Sequence, residues 1–239
     1  MPHKKLSLII FLLLLAGIIC NETGVNLWLS SLVADGNNGF PLRGHWLTER
    51  VLHYYAGKFT GILALGLILF CLKQWLWPRA SYHTIISSRY LMFSWLSSAL
   101  AIGILKKVTK LPCPWSLKVF GGTNDYVGIL DVFSKQFPAG YCFPSGHASG
   151  GYGLLGLAFI AFAYGFSMRS ALTLPVFLGA LYGGAQISRG AHFISHDFFT
   201  VAICLISAWF WAVKYLSPRW QTTAIASTVT SLHRQPFQD

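Results

Sequence analysis

The residues best suited to chemistry fall into three short runs. Pro144-Ser145-Gly146-His147 precedes an apolar stretch and reads as a helix start, where unpaired backbone N–H groups and the positive dipole end favour an anion. Gly146 allows close backbone approach, Ser145 adds a hydroxyl donor, and His147 can pass a proton to a leaving oxygen near neutral pH. The same four residues also serve as an ordinary helix cap. A second run, from Gln186 through Ser188, Arg189, His192 and His196 to Asp197, sets one guanidinium and two imidazoles beside an apolar span. Arg189 offers a planar fork of donors suited to phosphate oxygens, and a neutral imidazole at His192 can attack phosphorus. A hydrogen-bond acceptor nearby would hold that imidazole in the useful tautomer. The third run, Lys106-Lys107-Val108-Thr109-Lys110-Leu111-Pro112-Cys113-Pro114-Trp115, is basic. Its lysines either snorkel to headgroups or, at Lys106, neutralise charge developing on a phosphate.

His192 and His196 are spaced i, i+4, which predicts one helical face and invites a metal reading. No Glu follows His192 as in His-Glu-x-x-His, and the remaining thiols and imidazoles lack a dedicated ligand spacing. The expectation is therefore no metal and no cofactor.

The elements that must position these residues are membrane helices. Of 239 residues, 54% are hydrophobic and 10% charged, against about 25% charged in soluble proteins. Six spans are predicted, at about 6–20, 59–77, 90–106, 148–166, 171–187 and 198–216, each near the ~20 residues needed to cross the hydrocarbon core. The fold class expected is all-α, a polytopic six-helix membrane bundle forming one domain over 1–217, with a disordered cytoplasmic tail at 218–239. Residues 26–55, broken by Gly, Asn and Pro, predict short interfacial helices joined by a turn. The first apolar segment also has the form of a signal peptide, although no small-x-small site precedes a soluble domain, so a retained helix is expected.

The net charge of +11 is spread between apolar spans and makes no continuous nucleic-acid stripe, so the expected partner is an anionic lipid. With both termini cytoplasmic, the opposite side holds Glu22, Asp35, Glu49, Asp125, Asp131 and Asp197 and gathers all three chemical runs at one surface. Five cysteines are too few for a disulfide scaffold. Cys113 and Cys142 share the longest polar connection, either bridged or as free thiols, while Cys20, Cys71 and Cys204 lie in or beside spans as small hydrophobes.

In combination and order, the three runs resemble the type 2 phosphatidic acid phosphatase superfamily, the membrane histidine phosphatases, which show Lys-x6-Arg-Pro, Pro-Ser-Gly-His and Ser-Arg-x5-His-x3-Asp on a six-helix core. The resemblance covers Lys106 to Asp197 by motif. It implies His192 as nucleophile, His147 as general acid and then base, and phosphate binding by Lys106, Ser145 and Gly146. Three positions depart from the pattern: Cys113 replaces the arginine before Pro114, Gln186 stands six before His192 where arginine is expected, and His196 stands four after it where aspartate is expected. Arg189, about one helical turn from His192, is then the expected phosphate ligand, and Asp197 or His196 the group that orients the nucleophile. The Cys-Pro-Trp run at Cys113 looks like a bacterial branch, implying an inner-membrane protein with a periplasmic active site. The activity implied is metal-free removal of a terminal phosphate or diphosphate from a membrane lipid through a phosphohistidine. Lipid-to-lipid phosphotransfer and noncatalytic binding or transport of an anionic lipid are the alternatives.

Overall fold

Five long apolar helices and one shorter, interrupted one make up most of the chain. The computed structural model describes residues 3–134 and 136–217, so the expected tail at 218–239 lies outside the described residues. The described fold is all-helical. In order come α1 (His3–Glu22), α2 (Val25–Ser31), α3 (Ala56–Leu76), α4 (Tyr82–Thr109), α5 (Ala148–Tyr152), α6 (Gly156–Ala163), α7 (Met168–Ser188) and α8 (Ile194–Tyr215).

α1 and α3 are apolar on every side, as a helix surrounded by hydrocarbon must be. Their outward side chains, among them Phe11, Leu12, Ile62 and Leu65, are exposed, a surface that only lipid can cover favourably. Among the described residues, five helical stretches are long and apolar enough to cross a membrane: Lys4–Glu22, Leu47–Leu76, Tyr82–Ser116, Met168–Ser188 and Ile194–Tyr215. The remaining stretch, expected as a continuous span over 148–166, is the shorter Ala148–Ala163, which tightens into a 3-10 turn at Gly153–Leu155 between α5 and α6. The second expected span is longer than its apolar core suggested. A π-helical segment, Leu47–Tyr55, runs directly into α3, so only the first part of 26–55 forms the short separate helix foreseen there.

Inside the bundle the packing is small and polar. Tyr90 Oη donates to Ala208 O at 3.2 Å, and Trp211 Nε1 donates to Ser97 Oγ at 2.9 Å, tying α4 to α8. At α5 and α7 the backbones nearly touch: a Cβ on Gly151 would collide with the chain at Leu178 and Gly179. The segment between α4 and α5 folds over one end of the bundle. There Phe40, Leu117, Phe120 and Phe193 form a buried apolar cap, and Asn26 Nδ2 donates to Ser195 Oγ at 2.8 Å, pinning the start of α8 to α2.

Candidate active site at one end of the bundle

The three chemical runs lie at the end of α4, the start of α5 and the turn from α7 to α8, so antiparallel helices bring them together. α7 ends in a left-handed glycine turn. Gly190 has φ 71°, Gly190 N–H donates to Ile187 O at 2.9 Å and Ala191 N–H to Gln186 O at 2.9 Å, the paired bonds that satisfy the last carbonyls of a helix. Only a residue tolerant of positive φ fits at this position. The turn carries His192 out of both helices, because α7 stops at Ser188 and α8 begins at Ile194. His192 and His196 therefore do not share a helical face as their spacing predicted, although their Nδ1 atoms come within 3.4 Å. Arg189, expected one helical turn from His192, is instead the residue that caps α7.

His192 is buried, and its Nδ1 meets the main-chain carbonyl of Cys142 at 2.5 Å. A carbonyl can only accept, so the proton resides on Nδ1 and the lone pair on Nε2. Burial, reinforced by the Lys106 cation, holds the His192 imidazole well below its usual value and keeps it neutral. Neither acceptor foreseen from the sequence takes the main place beside it. The Asp197 carboxylate lies against Gly183, where a side chain would collide with it, and its Oδ1 has no hydrogen-bond partner. No hydrogen bond joins Asp197 to His192 among the described residues. His196 is enclosed edge-on by Phe143 and Phe193, with ring centroids 5.2 and 5.4 Å away.

Ser145 is fully buried, its carbonyl held by Thr200 Oγ1 at 3.0 Å. The helix that follows Pro-Ser-Gly-His has only five residues before it tightens, so it supplies less of a dipole than the sequence suggested. The polar character comes mainly from side chains. Lys106 Nζ donates to Tyr141 O at 3.0 Å, and its Cε would lie 3.1 Å from a Cβ at position 146. Lys107 and Lys110 are exposed. Among the described residues, Gln186 Nε2 is a buried donor without a hydrogen-bond partner, as is Ser145 Oγ, whose hydroxyl lies near the Asp197 carboxyl.

His147 faces a different neighbour. Its Nε2 lies 3.2 Å from His53 O, and the two imidazoles sit 4.0 Å apart. Burial, with the His53 ring next in importance, pushes His147 down to about 4. Arg189 is already engaged: Nε donates to Arg43 O at 3.0 Å, one terminal nitrogen to Gln186 Oε1 at 3.3 Å, and the other is 3.8 Å from Glu49 Oε1. Neither His53, Arg43 and the Cys142 carbonyl nor the contact of Glu49 with Arg189 was foreseen from the sequence, which placed Glu49 only on the same side as the three runs. His53, Arg43 and Glu49 lie far away in the chain, and a main-chain oxygen has no letter in a sequence. Cys113 and Cys142 are bridged, with Cα atoms 5.2 Å apart. Among the described residues no group of three or more His, Cys, Asp or Glu side chains is placed to hold a metal ion.

One end of this helical membrane bundle thus gathers His53, His147, His192, His196, Lys106 and Arg189, side chains whose charge and donors suit an anionic group. A family model of the PAP2 superfamily matches residues 88–220, more than half of the chain, and the chain belongs to that superfamily. Membership supports phosphatase- or phosphotransferase-type chemistry on lipid phosphates and, with the long apolar helices, an integral membrane protein that spans more than once. No curated protein and no solved structure matches the chain.

Proposed function

We propose that the protein hydrolyses a terminal phosphate of a membrane lipid, with His192 as nucleophile and His147 as the proton-transfer group. The observation that carries this reading is the His192 tautomer: Nδ1–H is committed to Cys142 O, which leaves the Nε2 lone pair free to attack phosphorus. Lys106, Ser145 Oγ and Gln186 Nε2 supply donors for the equatorial oxygens, and Gln186 Nε2 makes no hydrogen bond among the described residues. Gly146 lets the phosphate approach the backbone. Arg189 contributes only by loosening its contacts to Glu49 and Gln186, and His196 and Asp197 support the wall behind the nucleophile.

In the first step the Nε2–P bond forms in line as the P–O bond to the lipid breaks, and His147 protonates the leaving oxygen. In the second, water attacks the phosphohistidine, His147 takes its proton, and inorganic phosphate leaves. His147 Nε2–H is held by the His53 carbonyl, so Nδ1 exchanges the proton. A group pushed down to about 4 is neutral near pH 7, and an arriving phosphate dianion restores its proton by raising that value.

A lipid rather than a soluble ester is favoured by the surroundings of His147. A groove of about 380 Å³ opens beside it and runs between α3 and α4, past Gly57, Thr60, Gly61, Trp95 and Leu96. A tail in this groove places the ester oxygen at the proton donor. The site faces the periplasm of a bacterial inner membrane under this reading, with both termini cytoplasmic and the 148–163 stretch as a sixth span.

Membranes containing the wild-type protein or His192→Ala, assayed in EDTA across a panel of lipid monophosphates and diphosphates, test it. Metal-independent phosphate release confined to wild type is expected. Equal release from both would remove His192 from the chemistry, and binding without release from folded wild type would favour a lipid-binding protein.

A further inference from the structure

The strap formed by residues 110–113 and 140–142 presents two consecutive carbonyls to the two charged ends of the site. Tyr141 O accepts from Lys106 Nζ at 3.0 Å, and Cys142 O accepts from His192 Nδ1 at 2.5 Å. The strap is built from few interactions. Gly140 N–H donates to Lys110 O at 2.8 Å and Cys142 N–H to Leu111 O at 3.0 Å. Close to it, Trp115 N–H donates to Gly190 O at 2.9 Å, which joins this segment to the turn that carries His192. Between its two halves the chain makes a long excursion, and the Cys113–Cys142 bridge is the covalent closure of that loop.

We infer that the Cys113–Cys142 disulfide is a positioning element for the nucleophile: by fixing the Cys142 carbonyl it holds His192 in the Nδ1–H tautomer. The carbonyl thus occupies the place that a carboxylate fills in a Ser-His-Asp triad. The substitutions in the sequence support this assignment. His196 offers only a second imidazole nitrogen at 3.4 Å, and Asp197 lies against Gly183 instead. If the carbonyl moves away, Nδ1 retains no acceptor except His196, and the proton is free to pass to Nε2, where it blocks attack. Reduction of the bridge therefore lowers the chemical step more than substrate binding, because of the three phosphate donors only Lys106 leans on the strap, through Tyr141 O. The catalytic consequence rests on the nucleophile reading above, whereas the tautomer itself does not.

Nitrogen NMR of full-length protein labelled at histidine with 15N, in detergent micelles, reads the tautomer directly, with His192 assigned from its missing signals in His192→Gln. Oxidised wild type is expected to show Nδ1 protonated. Dithiothreitol-treated wild type and the Cys113→Ser/Cys142→Ser variant are expected to show a mixture, the variant being unresponsive to reductant. Treating folded wild type with reductant keeps the experiment valid where the variant does not fold. An unchanged tautomer after reduction overturns the inference. In parallel, kcat is expected to fall about 10- to 100-fold, the scale of a displaced reacting group, with a smaller rise in KM as Lys106 loses its hold on Tyr141 O. A loss expressed wholly in KM, or no loss, also overturns it. If the tautomer shifts on reduction but oxidised wild type hydrolyses no lipid phosphate, the positioning role stands and the phosphatase reading falls.

Discussion

The two catalytic histidines proposed here occupy opposite kinds of surroundings. His192 is buried behind the α7–α8 turn, bonded to a carbonyl on a disulfide-closed strap, and backed by the His196 ring, which Phe143 and Phe193 enclose in turn. His147 is half-buried, rests on a π-helical segment, and borders an open groove between α3 and α4. The difference assigns fixed geometry to the atom that must attack in line, where misplacement by ~1 Å costs about a hundredfold. It assigns openness to the atom that must meet a long, mobile leaving group.

Substitution on the open side should separate proton transfer from binding. His147→Gln is expected to lower kcat by about 10² to 10⁴, the usual range for a lost general acid, while the variant still binds tungstate. A variant that loses tungstate binding as well would make His147 a ligand rather than a proton carrier.

Proton linkage sharpens the same contrast. Because burial and the His53 ring push His147 down to about 4 and a dianion raises it, wild type takes up a proton on binding tungstate. Affinity accordingly strengthens as pH falls towards about 4 and levels off below it. Calorimetry in two buffers of different ionisation enthalpy should detect this uptake, and His147→Gln should abolish it. Uptake that persists in the variant places the proton elsewhere.

The smallest effect concerns the groove. Gly61 has open space where a side chain would go, so Gly61→Leu is expected to fill part of the groove and raise KM for long-chain substrates by about tenfold. Short-chain esters should be less affected. Equal effects on both would detach the groove from lipid binding.

The grouping of the candidate site was legible in the sequence because phosphate chemistry needs particular residue types at helix ends. Pro144 to His147, Lys106 and His192 could be read in that way, and apolar length located the main spans. The hydrogen-bond partner of His192 Nδ1 could not be read, because the Cys142 oxygen belongs to the main chain and only tertiary folding brings it to a residue 50 positions away. The His192–His196 spacing misled for a local reason: Gly190 ends α7 in a left-handed turn, so the helical period does not apply at His192. The interruption at Gly153–Leu155 was hidden within an apolar run whose composition alone predicted a continuous span. Bridged or free, Cys113 and Cys142 could not be decided from spacing, since a disulfide depends on how the intervening loop returns.

The most direct test is to trap the covalent intermediate. Wild-type protein mixed with a 32P-labelled lipid phosphate in EDTA and quenched within a turnover should carry acid-labile, base-stable label, mapped to the peptide containing His192 and absent from His192→Ala. Turnover with no labelled protein, or label that survives the substitution, would contradict His192 as the nucleophile.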